Sequence, residues 1–307
     1  MRKRSAPAAG SWRCRPYPHL PLLIILLLGV GCGIAAAQES VPTASSYPTE
    51  GATAAATSRP TTHATLFGIG GVHQLDTYLS PLNYHGTQVQ FLHETLRPTH
   101  WQEISFQSIW QADLSTAQNE AGKQNLMGGN MSYDVGWHYN WHPTTRLRLM
   151  AGPQIGGNIG FLYHSRNSNN PAQALASLRL SGSAAAIYTF RIWQKPFAAR
   201  YQLDVPLAGL MFSPDYGQSY YEVFELGHQE HNLRFTSPFN APSLRHQLTL
   251  DFPLGRRTIR VGYLGDIRQS HVNDIKHHHY SHAFVIGWVR HFNYRKHTEA
   301  SSEGFIM

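Results

Sequence analysis

The residues best suited to chemistry lie in one long segment, 208–242. It holds Asp215, Ser219, Glu222, His228 and His231. These are the acid, hydroxyl and imidazole types of a hydrolytic site. Such a site needs the hydroxyl beside the imidazole and a third group to orient the ring. The same types crowd any polar loop, and the chain contains no Gly-x-Ser-x-Gly. No catalytic residue is assigned on this basis. Tyr216, Tyr220, Tyr221 and Phe224 stand in the same segment. Their rings suit a loop that packs on itself, caps an opening or binds a partner.

Histidine is the other unusual resource. Of nineteen histidines, all but His19 follow residue 37. They concentrate in His228-Gln229-Glu230-His231 and in His277-His278-His279, flanked by His271 and His282. Imidazole ligates zinc and copper. Neither spacing matches His-Glu-x-x-His, so no metal or other cofactor is assigned. A further set comprises Asp134, His138, Arg200, Gln202, Asp204, Asp251, Arg260, Asp266 and Arg268. These residues fall on one face of alternating segments. Inside a closed sheet, arginine and aspartate would neutralise each other as a polar plug, or would line a narrow ion or solute path.

The elements that carry these residues read as strands. In 131–141, Met131, Tyr133, Val135, Trp137, Tyr139 and Trp141 alternate with Ser132, Asp134, Gly136, His138 and Asn140. A strand sends successive side chains to opposite faces, which gives one apolar face and one polar face. The pattern recurs at 64–73, 85–96, 101–116 (with a bulge expected near Ser108), 126–141, 146–163, 174–192, 197–207, 244–252, 258–267 and 282–294. Connections at 97–100, 142–145, 193–196 and 253–257 are short. Those at 74–84, 117–125, 164–172, 208–242 and 270–280 are longer, and the two kinds alternate. This predicts an all-β, antiparallel up-and-down transmembrane β-barrel of about ten strands, or about twelve if 220–235 forms its own hairpin. Trp101, Trp141, Trp193, Phe197, Phe252 and Phe292 lie beside the short turns, where an interfacial girdle belongs.

Residues 1–37 read as a secretory leader. Arg2, Lys3, Arg4, Arg13 and Arg15 precede an apolar run at 20–30, and Ala35-Ala36-Ala37 offers a cut after Ala37. That run is shorter than the roughly 20 residues a membrane helix needs. The chain has 25 basic and 18 acidic residues. Without the five leader cations the balance is 20 against 18, or +2, so the basic character is no nucleic-acid footprint. Cys14 and Cys32 both lie in the leader, so the exported chain holds no disulfide. Cys32 is an alternative lipidation site, although Gly29 stands where a lipobox has leucine. A mean hydropathy of −0.33 fits a polar-lumen barrel as well as a soluble domain. Residues 38–62 read as a Ser/Thr/Pro-rich linker, 63–295 as the barrel and 296–307 as a polar tail.

Three stretches carry a family resemblance. They are Gln74-Leu75-Asp76-Thr77-Tyr78-Leu79-Ser80-Pro81-Leu82-Asn83-Tyr84, Gly209-Leu210-Met211-Phe212-Ser213-Pro214-Asp215-Tyr216-Gly217-Gln218-Ser219-Tyr220-Tyr221-Glu222 and Asn240-Ala241-Pro242-Ser243-Leu244-Arg245. Together they resemble the domain-of-unknown-function 3316 family of exported Bacteroidota proteins, over residues 64–294. The resemblance implies an outer-membrane location and no particular activity. Asp76, Tyr78 and Pro81, with Asp215, Tyr216, Ser219, Tyr220, Tyr221, His228 and His231, are the candidate loop residues. One departure from ordinary barrels is a chain that continues past the aromatics of its last strand, Phe292 and Tyr294. The expected role is structural, or the binding of an extracellular ligand or partner. A narrow channel, and a lipid or peptide hydrolase working from 208–242, are the alternatives. Outer-membrane lipids and the barrel-assembly machinery are the expected partners.

Overall fold

The computed structural model describes residues 60–292 other than 102, 168–169, 228–230 and 256. The leader, its cleavage site, Cys32, most of the linker, His228 and the tail lie outside the described residues. The elements are β1 (Thr61–Asp76), β2 (Ser80–Pro98), β3 (Ile104–Asn119), β4 (Asn125–Trp141), β5 (Leu147–His164), β6 (Ala172–Ile192), β7 (Lys195–Phe212), α1 (Tyr220–Phe224), β8 (Leu233–Thr236), β9 (Leu244–Leu254), β10 (Arg257–Val272) and β11 (Ile275–Phe292). Consecutive long strands pair antiparallel, and β1 pairs with both β2 and β11. Ten strands thereby close a ring, and the four-residue β8 adds to the outer end of β7. Closure removes the free edges of the long strands except beside β8 and the adjoining part of β7.

Alternation decides the two faces. Along β4, Met131, Tyr133, Trp137, Tyr139 and Trp141 are exposed on the outside, while Ser132, Asp134, Gly136, His138 and Asn140 are buried inside. Phe67, Ile69, Val89, Leu114, Ile159 and Phe284 are likewise exposed outward. The interior is not uniformly polar. Leu66, Leu92, Ile109, Leu264 and Val285 form an apolar cluster within it. A second, of Val72, Leu79, Tyr84, Ala117, Leu126 and Leu162, fills the end toward the β1–β2 connection. Leu96, Met150 and Ala185 make a third at the opposite end. At that end Phe190, Phe197 and Phe252 stack outside with ring centroids 5.6 and 6.3 Å apart.

Several local expectations change. The segment 220–235 makes no hairpin: it contains α1 and the short β8, so the ring has ten strands and not twelve. Ser219 and Glu222 form a reciprocal capping box that starts the helix locally. The expected loop at 270–280 is strand on both sides of a turn at Asn273 and Asp274, whose φ values are 52° and 59°. The expected loop at 74–84 shrinks to residues 77–79. The alternation of short and longer connections therefore fails at these two places. Histidine, glutamine and tyrosine are compatible with a strand, and their polarity alone mimics a loop. No bulge occurs at Ser108, which pairs regularly with Thr95 and Val135. The register shifts lie between Gln74 and Asp76 and between Leu180 and Ser181.

The turn between β6 and β7 is Trp193-Gln194, with φ of 46° and 63°. Two positive φ values match the twist of a tight hairpin, but a side chain there costs about 1–2 kcal/mol. Gln194→Gly is expected to stabilise the barrel by about 1 kcal/mol. A rise in the urea midpoint of unfolding, followed by tryptophan fluorescence, checks this.

Candidate functional site

The interior charges form a connected network between opposite walls. Glu94 of β2 lies between Arg200 of β7, at 2.5 Å, and Arg260 of β10, at 3.0 Å. Gln107 donates to the same carboxylate at 2.7 Å. Arg260 also forks onto Asp251, its direct cross-strand partner, at 2.6 and 2.7 Å. Arg245 bridges Asp204, at 2.9 Å, and Asp134, at 3.0 Å. Arg179 Nη2 donates to both oxygens of Asp134, at 2.7 and 2.8 Å. Arg268 contacts Asp113 at 3.1 Å and Asp266 at 3.4 Å. Gln202 joins the groups by donating to Asp204 at 2.9 Å and accepting from Gln107 at 2.9 Å.

Charge inside a barrel is tolerable only when paired and hydrogen-bonded. Forked guanidinium geometry supplies both. Gly156 provides space for the junction, since a Cβ there would overlap the Asp134 carboxylate. The predicted interior residues Asp134, Arg200, Asp204, Asp251, Arg260, Asp266 and Arg268 all belong to this network. His138 is different: it is fully buried, and neither ring nitrogen has a hydrogen-bond partner. Glu94, Asp113, Arg179 and Arg245 were not among the predicted residues. Their signal was parity: Glu94 shares the inward phase of Gln88 and Gln90, and Asp113 that of Gln107 and Gln111.

At the end carrying α1, the walls meet directly. Buried Asp76 of β1 accepts from the Tyr78 backbone N–H at 3.0 Å and contacts His277 Nδ1 at 2.9 Å. The Tyr78 hydroxyl donates to the Gln218 carbonyl at 2.8 Å, and its ring meets Tyr220 edge-on at 6.0 Å. The Tyr220 hydroxyl accepts from Ala174 N–H of β6 at 2.6 Å. Tyr220 therefore touches both β6 and the β1–β2 connection, which stand on opposite sides of the ring. Asn167 Nδ2 adds another crossing by donating to the Leu79 carbonyl at 3.3 Å. Burial pushes the Tyr78 phenol well above its ordinary value, reinforced by Tyr220, Asp76 and Glu222, and burial raises Tyr220 as well. Both stay protonated, and their contribution is lost only as pH rises above the ordinary tyrosine range.

Among the described residues, the candidate hydrolytic side chains Asp215, Ser219 and His231 do not assemble. Ser219 Oγ donates to Glu222 Oε2 at 3.0 Å and accepts from Glu222 N–H at 3.3 Å, as a helix cap. The Asp215 backbone N–H donates to Gln218 Oε1 at 3.1 Å. His231 is exposed, and its carbonyl accepts from Asn273 Nδ2 at 3.0 Å. Pro81, Tyr216 and Tyr221 face solvent. Among the described residues no group of three or more His, Asp or Glu side chains is arranged to hold a metal ion.

The family of proteins of unknown function DUF3316 matches residues 20–299. The chain belongs to that family. No curated protein matches it. Among solved structures it is similar to the transport unit of the autotransporter AIDA-I from Escherichia coli, at 8% identity and a TM-score of 0.40, over 78% of this chain and 93% of that one. It is also similar to the β-domain of the Bordetella autotransporter BrkA, at 10% identity and a TM-score of 0.36, over 75% and 99%. The translocator domain of NalP from Neisseria meningitidis gives 10% identity and a TM-score of 0.31, over 76% and 89%.

Breaking the network at its junction and breaking the cap should differ in cost. Asp134→Asn is expected to destabilise the barrel by about 3 kcal/mol, because Arg179 and Arg245 lose a charged partner. Ser219→Ala is expected to cost about 1 kcal/mol, confined to α1. Urea unfolding of each variant, with protease sensitivity of 213–232 as the local readout, separates the two.

Proposed function

We propose that this protein is an outer-membrane β-barrel with a closed lumen, whose working surface is the end built from α1, β8 and the connections around them. The observation that carries the reading is the Arg–carboxylate network joining β2, β4, β7, β9 and β10 across the interior. Ten-stranded barrels have little interior space, and forked ion pairs with apolar clusters at both ends occupy it. Outward rings and aliphatic side chains support a lipid environment, because exposed apolar surface of this extent is unusual in a soluble monomer. The expected leader is consistent with export. The role is structural, or the binding of an extracellular ligand at the α1 end. The cap role of Ser219 weighs against hydrolysis.

Purified protein that shows a heat-dependent gel shift is expected to give no discrete conductance steps in a planar bilayer. Steady unitary steps from the folded protein would overturn the closed lumen and make Glu94, Arg200 and Arg260 a filter. Absence from the outer-membrane fraction of expressing cells would overturn the location.

A further inference from the structure

The wall of the ring is interrupted along one side of β7. The β7–β9 ladder runs from Ala198 opposite Asp251 to Asp204 opposite Arg245. The β7–β8 ladder begins only at Gly209 opposite Thr236. Residues 205–208 of β7 therefore have no ladder partner on this side. Pro206, within the gap, has no N–H to offer. The facing segment turns away: the Ser237 N–H donates to Asn240 Oδ1 at 2.7 Å, and the Asn240 carbonyl accepts from His271 N–H of β10 at 2.8 Å. Irregular backbone at membrane depth is stable only where it is buried in protein or lines a watery cavity.

Such a cavity lies directly behind the gap. It has a volume of about 140 Å³ and reaches Pro206, Thr236, Ala241 and Ser243. At about 30 Å³ per liquid water it holds about five waters, close to the size of a closed cavity that takes one six-membered ring. Its polar wall includes Gln154, Asn158, Ser181 and Arg245. Gln154 is 1% exposed, and its buried Nε2 has no hydrogen-bond partner. Arg179, Arg245 and Arg268 on the same wall are already matched by carboxylates. The capacity left over belongs to amides and hydroxyls, which suit an uncharged, hydroxyl-rich group and not an anion.

Outside the gap the surface is apolar. Leu207, Leu233 and Phe235 are exposed beside it, and Phe239 is 97% exposed. A groove of about 450 Å³ continues over Trp110, Ile159, Leu178, Leu210 and Phe212. Ser132, Asn158, Ala176, Ser177 and Leu178 line both the inner cavity and this outer groove.

We propose that the cavity binds the sugar headgroup of a glycolipid-like amphiphile, whose alkyl chain leaves sideways through the gap between β7 and the β8–β9 segment to lie on the outer groove. This rests on the reading of the chain as an outer-membrane barrel, which fractionation and the heat shift test independently. The probe is octyl β-D-glucoside, added to protein purified from outer membranes in a polyoxyethylene detergent and counted by native mass spectrometry. One saturable copy per chain is expected, with glucose or octanol alone giving less than about a tenth of that occupancy. Gln154→Leu, still showing the heat shift, is expected to weaken binding about tenfold. Ser181→Val replaces it if that variant does not fold. Absence of saturable binding overturns the proposal. So does equal binding of glucose alone, or affinity unchanged in a folded cavity variant.

Discussion

Glu94 held between Arg200 and Arg260 is the contact on which the interior depends. It ties β2 to β7 and β10 across the ring, and Gln107 and Gln202 extend the tie to β3. A lone carboxylate there would carry a desolvation penalty of several kcal/mol. Two guanidinium groups and an amide offset it only if all four strands keep their relative stagger. The network therefore acts as a register lock as well as a filling. In a sheet whose side-chain period is two, a one-residue slip would turn each charge toward the outside.

The two ends of the barrel are finished differently. The end with the stacked Phe190, Phe197 and Phe252 uses tight or short connections and an apolar cluster. The other end brings opposite walls together through Asp76, Tyr78 and Tyr220. The second arrangement needs an element long enough to reach across, and 213–224 supplies it. Its helix is only five residues long, too short to persist alone. It is held by the Ser219–Glu222 box and by Tyr220 packing on Phe212 and Phe224. The same excursion draws β7 away from β9 and leaves the gap at 205–208. Cap and side opening are thus consequences of one departure from the regular ring.

How legible this was differs by level. The inward or outward phase of Asp134, His138, Arg200, Asp204 and Arg260 follows from alternation within single strands, and the ring of ten follows from counting such segments. The helix at 220–224 was not legible from periodicity, because one turn of helix is shorter than the window in which a 3.6-residue period emerges. The capping box Ser219-x-x-Glu222 was its only local mark. The segment 270–280 reads as a loop because its histidines are polar, while their alternation between Asp76 and Gln74 inside and His73 and Tyr280 outside depends on neighbouring strands.

The sequence by itself determined the class of structure and the face each strand residue occupies, because a two-residue period is a property of the extended backbone alone. Only the tertiary structure decided which interior groups meet. Glu94 and Arg260 are 166 positions apart, and Asp134 and Arg245 are 111 apart. Their contact depends on the stagger of strands around the ring and on which walls approach, and neither is encoded in any local pattern. The gap beside Pro206 is of the same kind: it arises from how the segment after β7 crosses the barrel mouth and returns.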